Sequence, residues 1–159
     1  MSNLKIQLRF AALIKEHLPP TIYPDLYDIG GGTGGLNLIL TAWGYQVVTI
    51  DPKTQNRAVF HRRQMFTLNY PVSTNAIVGL HPDGATEIII RQAANHGIPF
   101  AIVPCCVMPI LTNFKGDEAA WIKHLLNYAD NLGFDAQEFT LTAPGKNVAI
   151  MGRPKSDNT

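Results

Sequence analysis

Asp28-Ile29-Gly30-Gly31-Gly32-Thr33-Gly34-Gly35 stands between two short apolar segments. Before it, Leu26-Tyr27-Asp28-Ile29 reads as a strand. After it, Leu36 to Trp43 reads as a buried helix closed by Gly44, the residue type that ends helices in a left-handed conformation. A strand that turns sharply into a helix leaves free backbone N–H groups at the helix start. Glycines let a ligand reach that backbone with no Cβ in the way.

Outward from this loop the punctuation is regular. Toward the N-terminus, Leu4 to Leu18 fits a helix, with Phe10, Leu13, Ile14 and Leu18 on one face and Pro19-Pro20 as its stop. Toward the C-terminus, Gln46 to Ile50 is a β-branched strand closed by Asp51-Pro52. Further strands are expected at Asn75–Leu80 and Phe100–Val103, with helices at Thr86–His96 and Asp117–Leu132. Phe139–Thr142 and Val148–Met151 read as a hairpin turning at Pro144-Gly145. Between Lys53 and Thr74 only Met65–Leu68 offers a further strand. Strands alternating with helices of about ten residues predict an α/β fold, a doubly wound, mostly parallel Rossmann-like sheet with a C-terminal antiparallel hairpin. Residues 1–152 are expected to form one compact domain and 153–159 a flexible tail.

Composition narrows the class. The 159 residues carry 13 Lys+Arg against 12 Asp+Glu, a net charge of +1, which excludes a strongly basic nucleic-acid binder and an acidic tail. With 46% apolar and only 16% charged residues the chain reads as a globule and not as a disordered segment. Its apolar runs stop well short of the roughly 20 residues a membrane span needs. No secretory leader is expected at its start. Cys105 and Cys106 are adjacent and are the only cysteines, so no disulfide framework is available and a reducing, intracellular (cytoplasmic) setting is expected.

The loop satisfies two fingerprints at once. Gly30-x-Gly32-x-x-Gly35 is the dinucleotide pattern, and Asp28-x-Gly30-x-Gly32-x-Gly34 is the first motif of S-adenosylmethionine (SAM) methyltransferases. Asp51 closes the next strand where an acidic residue accepts hydrogen bonds from ribose hydroxyls, a feature shared by both cofactors. Two considerations favour SAM over NAD. A carboxylate at Asp28, before the first glycine, suits the methionine ammonium and repels a pyrophosphate. A nicotinamide dehydrogenase also usually needs a second domain.

DIGGGTGG, VVTIDP, IVGLHPDGATE and PFAIVPCCV together resemble a class I SAM-dependent methyltransferase. More narrowly they are similar to the group with a GLH…AT segment after one strand and CC after the next, which includes a tRNA 2′-O-methyltransferase family. The resemblance covers roughly residues 24–108. It implies SAM as cofactor, with Asp28, Gly30, Gly31, Gly32 and Gly34 at its methionine part. Asp51 and Pro52 would stand at the ribose, and Leu80 at the adjoining strand end. This chain has Pro82 where the tRNA enzymes carry a cysteine, and it lacks their zinc-binding modules.

Two further segments follow neighbouring strands and converge on the transfer end. His81 is a candidate to orient or deprotonate a nucleophile, Asp83 to hold cofactor or substrate, and Cys105 to line the turn. Each also has a plain structural reading: Asp83 as a charge near a helix start, and the cysteines as small apolar packing. A metal held by His81, Asp83, Cys105 and Cys106 is disfavoured, because adjacent cysteines cannot easily point at one ion, and no metal is expected. Lys53, Arg57, His61, Arg62 and Arg63 form the one basic concentration. They read either as a solvated face or as a phosphate contact through Arg57, Arg62 and Arg63; that contact and the resemblance together rank RNA first among acceptors, with protein and small molecules open. The alternative is a non-catalytic SAM-binding subunit that serves a partner or forms an oligomer.

Overall fold

The structure, a computed structural model, describes residues 3–53 and 60–156. Its strands are β1 (Asp25–Ile29), β2 (Gln46–Ile50), β3 (His61–Arg62), β4 (Ala76–Leu80), β5 (Phe100–Val103), β6 (Phe134–Thr140) and β7 (Val148–Pro154). They form one sheet in the order β3-β2-β1-β4-β5-β7-β6. The first five run parallel, β7 pairs antiparallel with β5, and β6 antiparallel with β7. The expected doubly wound sheet with a C-terminal hairpin is therefore present.

The two-residue period of each strand divides the core. Leu26, Val47, Ala76, Val78, Ala101 and Val103 face one side, against α1 (Leu4–His17) and α2 (Gly35–Ala42). Tyr27, Ile29, Ile50, Ile77, Phe100 and Ile102 face the other, against α3 (Thr86–His96) and α4 (Glu118–Asn131). Helices on both faces explain why these strands are apolar almost throughout. The two 14-residue helices, α1 and α4, are capped locally: Asn3 Oδ1 accepts from Ile6 N–H at 3.0 Å, and Asp117 Oδ1 from Ala120 N–H at 2.9 Å. None of the described helices is long and apolar enough to cross a membrane.

Four boundaries differ from the sequence reading. Met65–Leu68 is not a strand; the sheet's edge is His61-Arg62, paired with Thr49 and Ile50. A strand of two residues has no periodicity to read, and Phe66 is buried as a loop residue packed on Tyr70. His61 is thereby in a strand; Arg57 lies outside the described residues. The hairpin strands are longer than expected, because β6 begins at Phe134. Arg153 and Pro154, assigned to the tail, end β7 opposite Asp135 and Phe134. Lys155 N–H then donates to Gly133 O at 2.8 Å.

Candidate functional site

β1 lies between β2 and β4, so the chain leaves it to one side through α2 and returns on the other. Loops after β1 and β4 part at that point, which is where an open parallel sheet binds ligands. A cavity of about 860 Å³ opens there. Gly30, Gly31, Gly32, Asp51, Pro52, Leu80, His81, Asp83 and Cys105 all stand on its wall.

The glycine loop is built from below. Asp28 is fully buried and its Oδ2 accepts from Thr49 Oγ1 at 3.0 Å. Asn37 Nδ2 donates to the same Thr49 hydroxyl at 2.8 Å, and Thr41 Oγ1 to Asn37 Oδ1 at 3.0 Å. This buried network ties β1, β2 and the start of α2 together. Gly31 lies directly over it. A Cβ there would stand 2.7 Å from Thr49 Cγ2 and 2.9 Å from Asp28 Cγ, so a side chain would lift the loop off its support. Gly30 has φ of 68° as the chain leaves β1, and a Cβ there would stand 3.2 Å from Pro82 Cα.

Two of the residues assigned to the cofactor are not on the cavity wall. Asp28, expected from sequence to meet the methionine ammonium directly or through water, sits beneath the loop, with Gly31 between its carboxyl and the space above. Burial, opposed by the Thr49 bond and reinforced by the charge of Asp51, pushes its carboxyl up to about 7. Its Oδ1 is a buried acceptor with no partner, as fits a protonated carboxyl. Gly34, at φ of 89°, is the N-cap of α2, off the wall.

Asp51 is the buried wall group with both oxygens already used. Oδ2 accepts from Gly32 N–H at 2.9 Å and Oδ1 from Lys53 N–H at 2.8 Å. Each carboxylate oxygen keeps a further lone pair for a ligand hydroxyl. His61 Nε2–H donates to Asp51 O at 2.9 Å, so β3 steadies the same corner.

Across the cavity the chain leaves β4 through His81-Pro82-Asp83 and a short 3₁₀ turn, Asp83–Ala85, into α3. His81 and Asp83 both have left-handed φ, 53° and 52°. That conformation is uncommon outside glycine, and Asp and His are among the residues that adopt it most readily. His81 Nε2–H donates to Lys146 O at 2.9 Å, and its backbone N–H to Val103 O. Cys105 Sγ donates to Asp83 Oδ1 at 3.0 Å and stands 3.5 Å from Cys106 Sγ. Partial burial, then the bond to Asp83 and the neighbouring Cys106, push the Cys105 thiol up to about 12, so it is a protonated wall group and not a ready nucleophile. Both cysteines are half-buried, more open than packing residues. Cys105 also lines a second cavity of about 490 Å³ beyond it, with Cys106, Trp121, Ile122 and Lys146.

Gln7, Met65, Phe66, Ile88 and Ile110 complete the wall and carry no motif that marks them in the sequence. Ile110 is held by Glu87 of α3, which is fully buried. Glu87 Oε1 accepts from Ile110 N–H at 2.5 Å and Leu111 N–H at 2.7 Å; Oε2 accepts from Thr112 Oγ1 at 2.5 Å and meets His124 Nε2 at 3.2 Å. Burial alone would raise its carboxyl, but the bonds from Thr112, Leu111, Ile110 and His124 outweigh it and hold it below the ordinary value. Glu87→Gln keeps one oxygen for the two amides and turns an NH₂ toward donors. A loss of about 1–2 kcal/mol is expected in chemical denaturation. A change within 0.3 kcal/mol, roughly the scatter of a surface substitution, would show that the loop does not depend on this carboxylate.

Of the basic residues, Arg62 is committed to its own fold. Its Nη1 donates to Tyr70 OH at 3.1 Å and its guanidinium lies 5.8 Å from the Tyr27 ring centroid. Arg63 is exposed.

Solved structures share this fold. The sugar N-methyltransferase KedS8 from Streptoalloteichus sp. ATCC 53650 matches with a TM-score of 0.67 at 11% identity, over 97% of this chain and 89% of its own. The fold is that of the class I SAM-dependent methyltransferases. The ribosomal protein L11 methylase from Lactobacillus delbrueckii subsp. bulgaricus matches with a TM-score of 0.66 at 14% identity, over 98% and 81%. Human N-acetylserotonin methyltransferase, solved with SAM, gives 0.62 at 15% over 92% of this chain, which spans 52% of its length. No family model matches the sequence, and no curated protein matches it.

Proposed function

We propose that this chain binds SAM in the cavity over the glycine loop and transfers its methyl group to a small, largely apolar acceptor. The observation that carries the reading is the Gly32 N–H to Asp51 Oδ2 bond. It brings an anion-accepting glycine loop and a ribose-accepting carboxylate to one corner of one cavity, on a methyltransferase fold. The cavity volume lies within the roughly 300–1,000 Å³ of small-molecule sites. The open glycine backbone gives a cofactor room to lie flat against it.

On this reading Gly30, Gly31 and Gly32 hold the methionine part and Asp51 accepts from the ribose hydroxyls. Pro52, Met65 and Phe66 flank the base. Asp28 acts through the loop. Bound SAM supplies a sulfonium methyl that is already a strong electrophile, so alignment gives most of the acceleration. The chain's part is to place the acceptor: Leu80 and Pro82 form the edge beside the transfer end, Asp83 accepts a hydrogen bond there, and Cys105 closes the wall. His81, its Nε2–H fixed on Lys146, holds the β4 loop in register with the hairpin.

Two observations favour a small apolar acceptor over the RNA ranked first from sequence. Arg62 is occupied by Tyr70 and Tyr27. The mouth is apolar, with Met65 66% and Ile110 54% exposed. Incubating the pure chain with methyl-tritiated SAM and a cell extract split into small-molecule, protein and RNA fractions tests this. Label is expected in the small-molecule fraction and unaffected by RNase. Label confined to RNase-sensitive material would restore the RNA reading. Tight SAM binding with no label in any fraction would favour the non-catalytic subunit, a reading in keeping with the protonated Cys105 and the engaged His81.

A further inference from the structure

We propose that Asp83, Cys105 and Cys106 form a binding site for one zinc-class divalent cation, at the partition between the two cavities. From sequence, adjacency argues against two neighbouring thiols sharing an ion. The structure removes that objection. Cys105 Sγ and Cys106 Sγ lie 3.5 Å apart on the same side of the chain, and Asp83 Oδ1 stands 3.0 Å from Cys105 Sγ. One ligand atom from each of the three residues falls within 4.8 Å of the other two. Tetrahedral zinc with bonds of about 2.0–2.3 Å sets its ligands roughly 3.5–3.8 Å apart. The thiol–thiol spacing already meets that figure; the Asp83–Cys105 pair needs to open slightly and the Asp83–Cys106 pair to close by at most about 1.3 Å.

The donor set is chemically specific. Two thiolates and a carboxylate carry three negative charges, more than neutralise a divalent ion, and favour zinc over calcium or magnesium, which prefer oxygen. Binding replaces the two thiol protons, which pass to the buffer, and breaks the Cys105–Asp83 hydrogen bond in favour of two bonds to the ion.

Three protein ligands leave the fourth tetrahedral position open, the pattern of reactive and not of structural zinc sites. That position is reachable from solvent, because Asp83 and Cys105 line the larger cavity and Cys105 and Cys106 the smaller one. A water or an acceptor heteroatom can take it. His81, weighed with these three in the sequence and disfavoured there, is not among the converging ligand atoms; its Nε2 is bound to Lys146. The site goes beyond the methyl-transfer reading and does not depend on it, since its test uses no SAM.

The test is cobalt(II) titration of the full, untagged chain kept reduced by a phosphine. One equivalent is expected to produce thiolate-to-cobalt charge-transfer absorbance in the near ultraviolet, with intense visible bands of tetrahedral cobalt, and zinc should abolish both. Cys106→Ser should weaken binding by roughly a hundredfold, since one of two thiolates is lost. Asp83→Asn, at an exposed position, should weaken it by roughly tenfold while keeping the charge-transfer band. Circular dichroism of each variant separates lost ligation from lost fold. Absence of charge-transfer absorbance in the wild-type chain overturns the proposal. So does unchanged affinity in folded Cys106→Ser, or a stoichiometry of one ion per two chains.

Discussion

Asp28→Asn is expected to flatten the pH dependence of stability between pH 4 and pH 8. The carboxyl titrates near 3.8 when free and near 7 in the fold. Below pH 4 both states are protonated and the group has no effect. Between about pH 4 and 7 the unfolded chain ionises while the folded chain keeps its proton. Stability then falls by about 1.4 kcal/mol per pH unit as pH rises. Above pH 7 both are ionised, and the accumulated loss levels off at on the order of 4 kcal/mol. Asparagine has the shape of the protonated acid, can accept from Thr49, and does not titrate. The stability of the variant relative to wild type should therefore rise by on the order of 4 kcal/mol from pH 4 to pH 8 in urea denaturation. Parallel pH curves would mean that Asp28 is ionised in the fold, and that the network beneath Gly31 is misassigned.

Asp51→Ala should act on ligand and fold together. Hydrogen bonds to a charged group contribute on the order of 1.5–3 kcal/mol, so removing the acceptor for the ribose hydroxyls should lower SAM affinity roughly ten- to a hundredfold. From its place at the open end of a strand, Asp51 would be expected to matter little to the apo protein. Its bonds to Gly32 and Lys53 N–H change that expectation. The apo variant should lose about 1–2 kcal/mol as the glycine loop is released. Asp51→Asn, which keeps one carbonyl acceptor, should fall between. Full-strength SAM binding by folded Asp51→Ala would place the ribose elsewhere.

What the sequence shows and what it hides follow from the range of the interactions. The strand–glycine loop–helix unit, Asp51 at the next strand end, and the helix caps are local features, and local chemistry can be read in order along a chain. β3 is defined only by its pairing with Thr49 and Ile50, so nothing in His61-Arg62 announces it. Asp28 looks like a ligand contact in the motif; its burial beneath Gly31 depends on packing that the motif does not carry. Glu87 holds a loop 23 residues away at Ile110, and Gln7 reaches the cavity from α1. These long-range placements require the sheet order, which sequence periodicity does not carry.

The central claim is that the cavity over the glycine loop takes SAM and not a dinucleotide. Calorimetric titration of the reduced chain with SAM, its demethylated product and NADH tests this most directly. The fold and the Asp51 corner predict saturable one-to-one binding of SAM and of the demethylated product, lost or much weakened in Asp51→Ala, and no heat from NADH. Binding of NADH, with neither SAM nor its product bound, would contradict the account.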